Sequence, residues 1–142
     1  MADLKTCAIH TMTNKSWTLQ QCCDEYAKAG VGGISVWRNV IEPIGIQEAS
    51  KIVRASGLKV PALVRGGFFP AFEGAKRQAA LDDNRRCIDE AAAIGAEMVV
   101  LVVGAVVGMP LPEARRQVAE GMSRVLDHAA QNKVKLLSLI HI

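Results

Sequence analysis

The sequence predicts an α/β fold built on a parallel sheet, and three observations carry that expectation. Short β-rich runs recur at Thr6 to Met12, Gly33 to Trp37, Lys59 to Arg65, Glu97 to Gly104 and again from Val134. With Cys7, Gly33, Lys59, Glu97 and Val134 as markers, the runs lie 26, 26, 38 and 37 residues apart. Each interval has room for a strand, a crossover helix and two loops, and strands joined that way run parallel. Ala, Val, Ile and Gly are plentiful whereas aromatic residues make up only 4%, which suits packed α/β layers better than a β-sandwich.

Each element has its own signature. In the first strand, if His10 points inward, Thr6 and Ala8 share its face while Cys7 and Ile9 point toward the helices. The first helix starts at Thr18, an N-cap with Gln21 three residues on, flanked by Trp17 and Cys22 as a hydrophobic staple, and Gly30 follows its last turn. The second sets Ile46, Ala49, Ile52 and Val53 on one face and stops at Gly57. In the third, Asp82 and Asp83 load the N-terminal turn, Ile88 and Ala91 face inward, and Gly95 ends it. The fourth strand, Met98-Val-Val-Leu-Val-Val, is apolar on both faces, as a strand between helices and a closed interior must be. The fourth helix opens with Pro112 at its first position and aligns Ala114, Val118, Met122, Val125, Leu126 and Ala129.

Composition narrows the partners. Seventeen basic and fourteen acidic residues are scattered without a run of one sign, for a net charge of +3, so nucleic acid and anionic membranes are not expected partners. Cys7, Cys22, Cys23 and Cys87 form no C-x-x-C pair and read as buried, reduced thiols of a cytoplasmic protein. The start of the chain lacks a signal-peptide stretch, and Met98 to Val107 is too short to span a bilayer.

The last six residues, Leu137-Ser-Leu-Ile-His-Ile, match the translation of the mosaic end of a transposase-based sequencing adapter. Residues 137–142 are therefore expected to be a library scar that gives His141 no functional meaning, the alternative being a genuine fifth strand. Residues 1–136 then hold four βα units and the opening of a fifth strand. A closed barrel takes about 250 residues and eight units, so the expectation is the N-terminal half of one, with open strand edges and a tendency to homo-oligomerise. His128, within the fourth helix, is expected to be solvated.

Five stretches carry a resemblance: Ile9-His-Thr-Met-Thr, Gly33-Ile-Ser-Val-Trp-Arg, Arg65-Gly-Gly-Phe-Phe-Pro, Ala80-Leu-Asp-Asp-Asn-Arg and Val99-Val-Leu-Val-Val-Gly. In this order and spacing the chain resembles the sugar phosphate isomerase/epimerase family, the xylose isomerase-like TIM barrels related to the AP endonucleases. The resemblance implies a (β/α)8 TIM barrel, truncated here. It also implies a divalent metal, Mn, Mg or Zn, that polarises a sugar carbonyl while carboxylates move a proton on the neighbouring carbon. The family's ligands begin with a glutamate on the fifth strand, where this chain has Leu139, so the chain alone is expected to be inactive and without a metal. The implied partner is a small sugar or sugar phosphate.

Barrel active sites lie at the C-terminal ends of the strands, where His10, Trp37, Arg38 and Arg65 fall. His10 binds a sugar hydroxyl, moves a proton, or is a structural histidine. Arg38 and Arg65 clamp a phosphate or carboxylate, or else pair with Glu42 or Glu73. Trp37, Phe68 and Phe69 form an apolar wall against a sugar face, or pack in the core. Gly66-Gly67 is read as a tight turn. Three alternatives stay open: a zinc nuclease of abasic DNA, although that branch uses first-half histidines where this chain has Trp37, Arg38 and Arg65; a non-catalytic sugar-binding barrel; and a flavodoxin-like open sheet.

Overall fold

The computed structural model describes residues 3–139. Five strands, β1 (Ala8–His10), β2 (Gly33–Trp37), β3 (Ala62–Gly67), β4 (Met98–Val102) and β5 (Lys135–Leu139), alternate with four helices, α1 (Leu19–Lys28), α2 (Ile46–Ser56), α3 (Gly74–Ile94) and α4 (Leu111–Gln131). All neighbouring strands pair in parallel, in the order β1-β2-β3-β4-β5. That order decides between the two architectures open to the sequence. A flavodoxin-like sheet reverses direction and runs 2-1-3-4-5, whereas each strand here is laid beside its predecessor, as in a TIM barrel.

The core fills the layer between sheet and helices. Ile34, Val36, Leu63, Val99 and Leu101 are buried against Leu19, Cys22, Val53, Ile88, Ala91 and Val125, in a single cluster. Each such aliphatic side chain contributes about 1.5–3 kcal/mol by leaving water. Strand residues of the other parity face away from the helices: Ala8, His10, Leu137 and Leu139 are exposed, and Met98, Val100 and Val102 half-buried. This is the surface a closed barrel turns inward.

Thr18 forms the expected capping box with Gln21, which satisfies two helix N–H groups and is worth about 1 kcal/mol. Several expectations are corrected. The residues before Ala8 form a 3-10 turn over Leu4–Thr6, because Asp3 accepts from the backbone of Lys5 and Thr6, and this leaves Cys7 exposed. Helix α3 starts at Gly74, eight residues before Asp82, since Ala75 to Leu81 are all good helix formers; the Asp pair sits mid-helix and bonds to arginines. Pro112 is the second residue of α4, and Leu126 is 51% exposed, while Gln117 and Gly121 take the inward stripe with Val125 and Ala129. His128 is held by Asp89 of α3 at 2.7 Å.

Of the stretch read as a scar, Leu137 to Leu139 pair with Val100 to Val102 as part of β5; residues 140–142, with His141, lie outside the described residues. Among the described residues, no helix is long and apolar enough to cross a membrane.

Candidate functional site

The C-terminal ends of β1, β2 and β3 bring the expected site residues to one edge of the sheet. His10 closes β1 and Trp37 closes β2, and the ladder pairs His10 with Ser35. Trp37 therefore stands two residues further along the neighbouring strand, on the same face as His10. Its indole N–H donates to His10 Nδ1 at 3.1 Å. Behind this pair, the backbone N–H of Trp37 donates to the buried Oγ1 of Thr11 at 3.0 Å. The Tyr26 hydroxyl lies 3.3 Å from the His10 carbonyl and 2.8 Å from Asn14 Oδ1. Burial, helped by neighbouring Cys22, pushes the Tyr26 phenol up, so it remains a neutral donor.

Arg65 reaches the same edge by a different device. Val64 pairs with Val100 and Gly66 with Leu101, so Arg65 is the extra residue of a β-bulge, out of the ladder and exposed. Its guanidinium carbon lies 4.7 Å from the ring centroid of Phe68, a cation–π contact, and among the described residues it has no carboxylate partner. The strand behind it is clamped. Asn84, 1% exposed, accepts from Gly67 N at 2.6 Å and donates to Gly67 O and Ala80 O, both at 2.8 Å. Only glycine fits at position 67, since φ is +105° and a Cβ would come within 2.0 Å of the Val102 carbonyl oxygen. Gly66-Gly67 is thus the end of a strand under close backbone approach and not a turn.

Arg38 does something else. Its Nε and Nη2 bind Glu90 at 2.7 and 3.2 Å, and its Nη1 and Nη2 bind Asp83 at 2.9 and 3.1 Å. The expected partners Glu42 and Glu73 are not used; Glu73 pairs with Lys76. Burial works against the charged guanidinium, but the bonds to Glu90 and Asp83 outweigh it and hold Arg38 above its ordinary value. At Asp83 the carboxyl, also opposed by burial, is held below the usual range by Arg38 and Arg86. With its fork filled on both sides, Arg38 ties the end of β2 to α3, whereas Arg65 has no carboxylate partner among the described residues.

Phe69 is 3% exposed and packs on α4, where the absence of a side chain at Gly121 makes room for its ring, so it belongs to the core and not to a wall of the site. Phe68 is 44% exposed. A cleft of about 310 Å³ is lined by Trp37, Arg65 and Phe68 together with Met12, Asn39, Glu42, Val64 and the Arg38–Asp83 pair; His10 is not part of this lining. A larger and more apolar groove, about 420 Å³, lies between the start of α1 and the segment before α2, around Trp17, Pro43 and Ile44. Placement singles out the first, because barrel chemistry occurs at the strand ends.

The residues present do not fit the divalent metal that the resemblance implies. Among the described residues no three His, Cys, Asp or Glu side chains converge on one point, and both carboxylates beside Arg38 are already engaged by arginines.

The sequence model described as xylose isomerase-like TIM barrel matches residues 23–138. Among solved structures, protein SMc04130 from Sinorhizobium meliloti 1021 is 41% identical, with a TM-score of 0.90 over 95% of this chain and 50% of its own. A D-psicose 3-epimerase crystallised with D-fructose is 14% identical, with a TM-score of 0.74 over 91% of this chain and 50% of its own. The zinc-bound IOLI protein is 14% identical, with a TM-score of 0.79 over 92% of this chain and 50% of its own. The last two share the fold at low identity. This chain spans about half the length of these structures. No curated protein matches it.

Proposed function

We propose that this chain, which belongs to the xylose isomerase-like TIM-barrel family, supplies the substrate-gripping half of a sugar isomerase or epimerase. The observation that carries the reading is the strand-end cleft: an indole, the ring of Phe68 and an arginine lifted out of the ladder by a bulge line one opening, and the indole is hydrogen-bonded to the imidazole of His10. Phe68 offers a ring to the apolar face of a sugar, Arg65 offers a fork to a phosphate or carboxylate, and His10 contacts a substrate oxygen. The cytoplasmic setting expected from the cysteines and the small sugar implied by the resemblance accord with this.

The reaction class proposed is a keto-aldose isomerisation or an epimerisation, in which a proton leaves and returns to the carbon beside a carbonyl. Sugar epimerases among the fold neighbours support that class, and the zinc named for one neighbour supports a divalent metal in the whole enzyme. No three potential ligands converge among the described residues, so the rest of the whole enzyme would have to complete its ligand set.

The test uses a full-length barrel that contains this segment, incubated with ketoses in deuterated water. Deuterium gained at the carbon beside the carbonyl, lost on chelation and restored by Mn, Mg or Zn, is the expected result. Cleavage of an abasic-site oligonucleotide without sugar exchange would replace the proposal with the nuclease reading. Sugar binding without exchange would replace it with a binding barrel.

A further inference from the structure

We propose that Trp37 is a positioning residue that locks His10 in the tautomer carrying its proton on Nε2, so that His10 meets substrate as a hydrogen-bond donor and not as a proton acceptor. This deepens, and for its functional half rests on, the reading of the strand-end cleft as a sugar site.

An imidazole in a protein leaves the location of its proton ambiguous unless a partner of fixed polarity decides it. An indole is such a partner, because its N–H donates and never accepts. The 3.1 Å contact from Trp37 Nε1 therefore requires a lone pair on His10 Nδ1, and in the neutral ring the proton then sits on Nε2. The two rings meet nearly edge-on, at 70° with centroids 6.4 Å apart, so the contact is this hydrogen bond and not a stack.

Both partners are held for it. Thr11 Oγ1 fixes the backbone of Trp37, and the Tyr26 hydroxyl reaches the carbonyl of His10. Parallel register places the two residues diagonally on adjacent strands, within reach of a long side chain. His10 is exposed on the face turned away from the helices, so Nε2–H is open to an oxygen in the barrel mouth. A sugar carbonyl or hydroxyl oxygen is the acceptor this suits. Proton abstraction from carbon falls to a carboxylate instead.

Nuclear magnetic resonance of the 142-residue chain tests this. Long-range proton–nitrogen correlations are recorded at a pH of about 8.5, above the ordinary imidazole range near 6.5, with His10→Gln identifying the His10 ring. The expected result is an unprotonated Nδ1, a protonated Nε2 and a through-hydrogen-bond coupling between Trp37 Nε1 and His10 Nδ1. Trp37→Phe should remove the coupling and move both nitrogen shifts toward the average of the two tautomers. If that variant does not fold, the same ring in the urea-unfolded chain supplies the averaged reference. A proton on Nδ1, or shifts in the folded wild type equal to the averaged reference, would overturn the inference. Titration with D-fructose separates it from the reading it rests on: a locked tautomer whose Nε2 ignores the sugar keeps the positioning role and removes the sugar contact.

Discussion

Replacing Arg38 by methionine should destabilise the fold far more than it affects any sugar. Arg38 is 15% exposed in its side chain and Glu90 17%, so the pair is largely withdrawn from water. Without the guanidinium, Glu90 keeps only a 3.8 Å approach from Arg86, while Asp83, 39% exposed, retains its own bond to Arg86. Removing one partner of a fully buried pair costs about 3–5 kcal/mol, and the solvent that already reaches Asp83 reduces this to about 2–3 kcal/mol. At a urea dependence of about 1–3 kcal/mol per molar, the midpoint of unfolding should fall by about 0.7–3 M. Acid supplies a second reading. Because Asp83 is held below its ordinary value, its stabilisation is whole above the unfolded carboxylate's pKa of about 3.9 and is lost as pH falls through the lower folded value. The gap between wild type and Arg38→Met should therefore narrow below about pH 4. An unfolding free energy unchanged within about 0.5 kcal/mol, with weakened binding of anionic sugars, would refute the structural role and return Arg38 to the substrate clamp.

Arg65→Met in a full-length barrel should weaken binding of acidic sugars more than of neutral ones with little loss of stability, whereas equal effects on both would remove the anion subsite. One of the four thiols, Cys7, should react with an aromatic disulfide reagent in the native chain and all four in denaturant; rapid native labelling of more than one would contradict the burial of Cys22, Cys23 and Cys87. Burial pushes the Cys87 thiol up to about 12, so its contribution to stability is whole below the unfolded thiol's pKa of about 8.5 and should erode as pH climbs from there toward the folded value, which denaturation at pH 8 and 10 would register. Gly121→Ala would set a Cβ 2.3 Å from the Phe69 ring and should cost about 1–3 kcal/mol, unless thermal unfolding shows that the ring shifts without penalty.

Much of the fold is legible because it is written locally. Gly33–Trp37 is bounded as the alternation predicts, and the Thr18 capping box and the stop of α2 at Gly57 are local features of the sequence. Position along the sequence also brings His10, Trp37, Arg38 and Arg65 to strand ends. What these side chains touch is not local. The partners of Arg38 lie 45 and 52 residues away, and nothing in the spacing favours Asp83 and Glu90 over Glu42. The bulge that frees Arg65 depends on the register of β3 against β4, which no single strand reveals. The Asp82-Asp83 pair resembles a helix start because acidic residues favour first turns, yet the preceding residues are good helix formers and α3 simply runs through. Asn84 did leave a signal: it lies four and seven residues before Ile88 and Ala91, a polar residue on the inward stripe, and such a residue must find partners.

The most direct test of the proposed sugar site is a crystal structure of a full-length barrel containing this segment, with D-fructose or a sugar phosphate bound. The sugar should lie at the C-terminal ends of the strands, with one of its oxygens within about 3.2 Å of His10 Nε2, a ring face on Phe68, and any phosphate on Arg65 but not on Arg38. A sugar seated elsewhere, or one at the strand ends that touches neither His10 nor Arg65, would contradict the assignment.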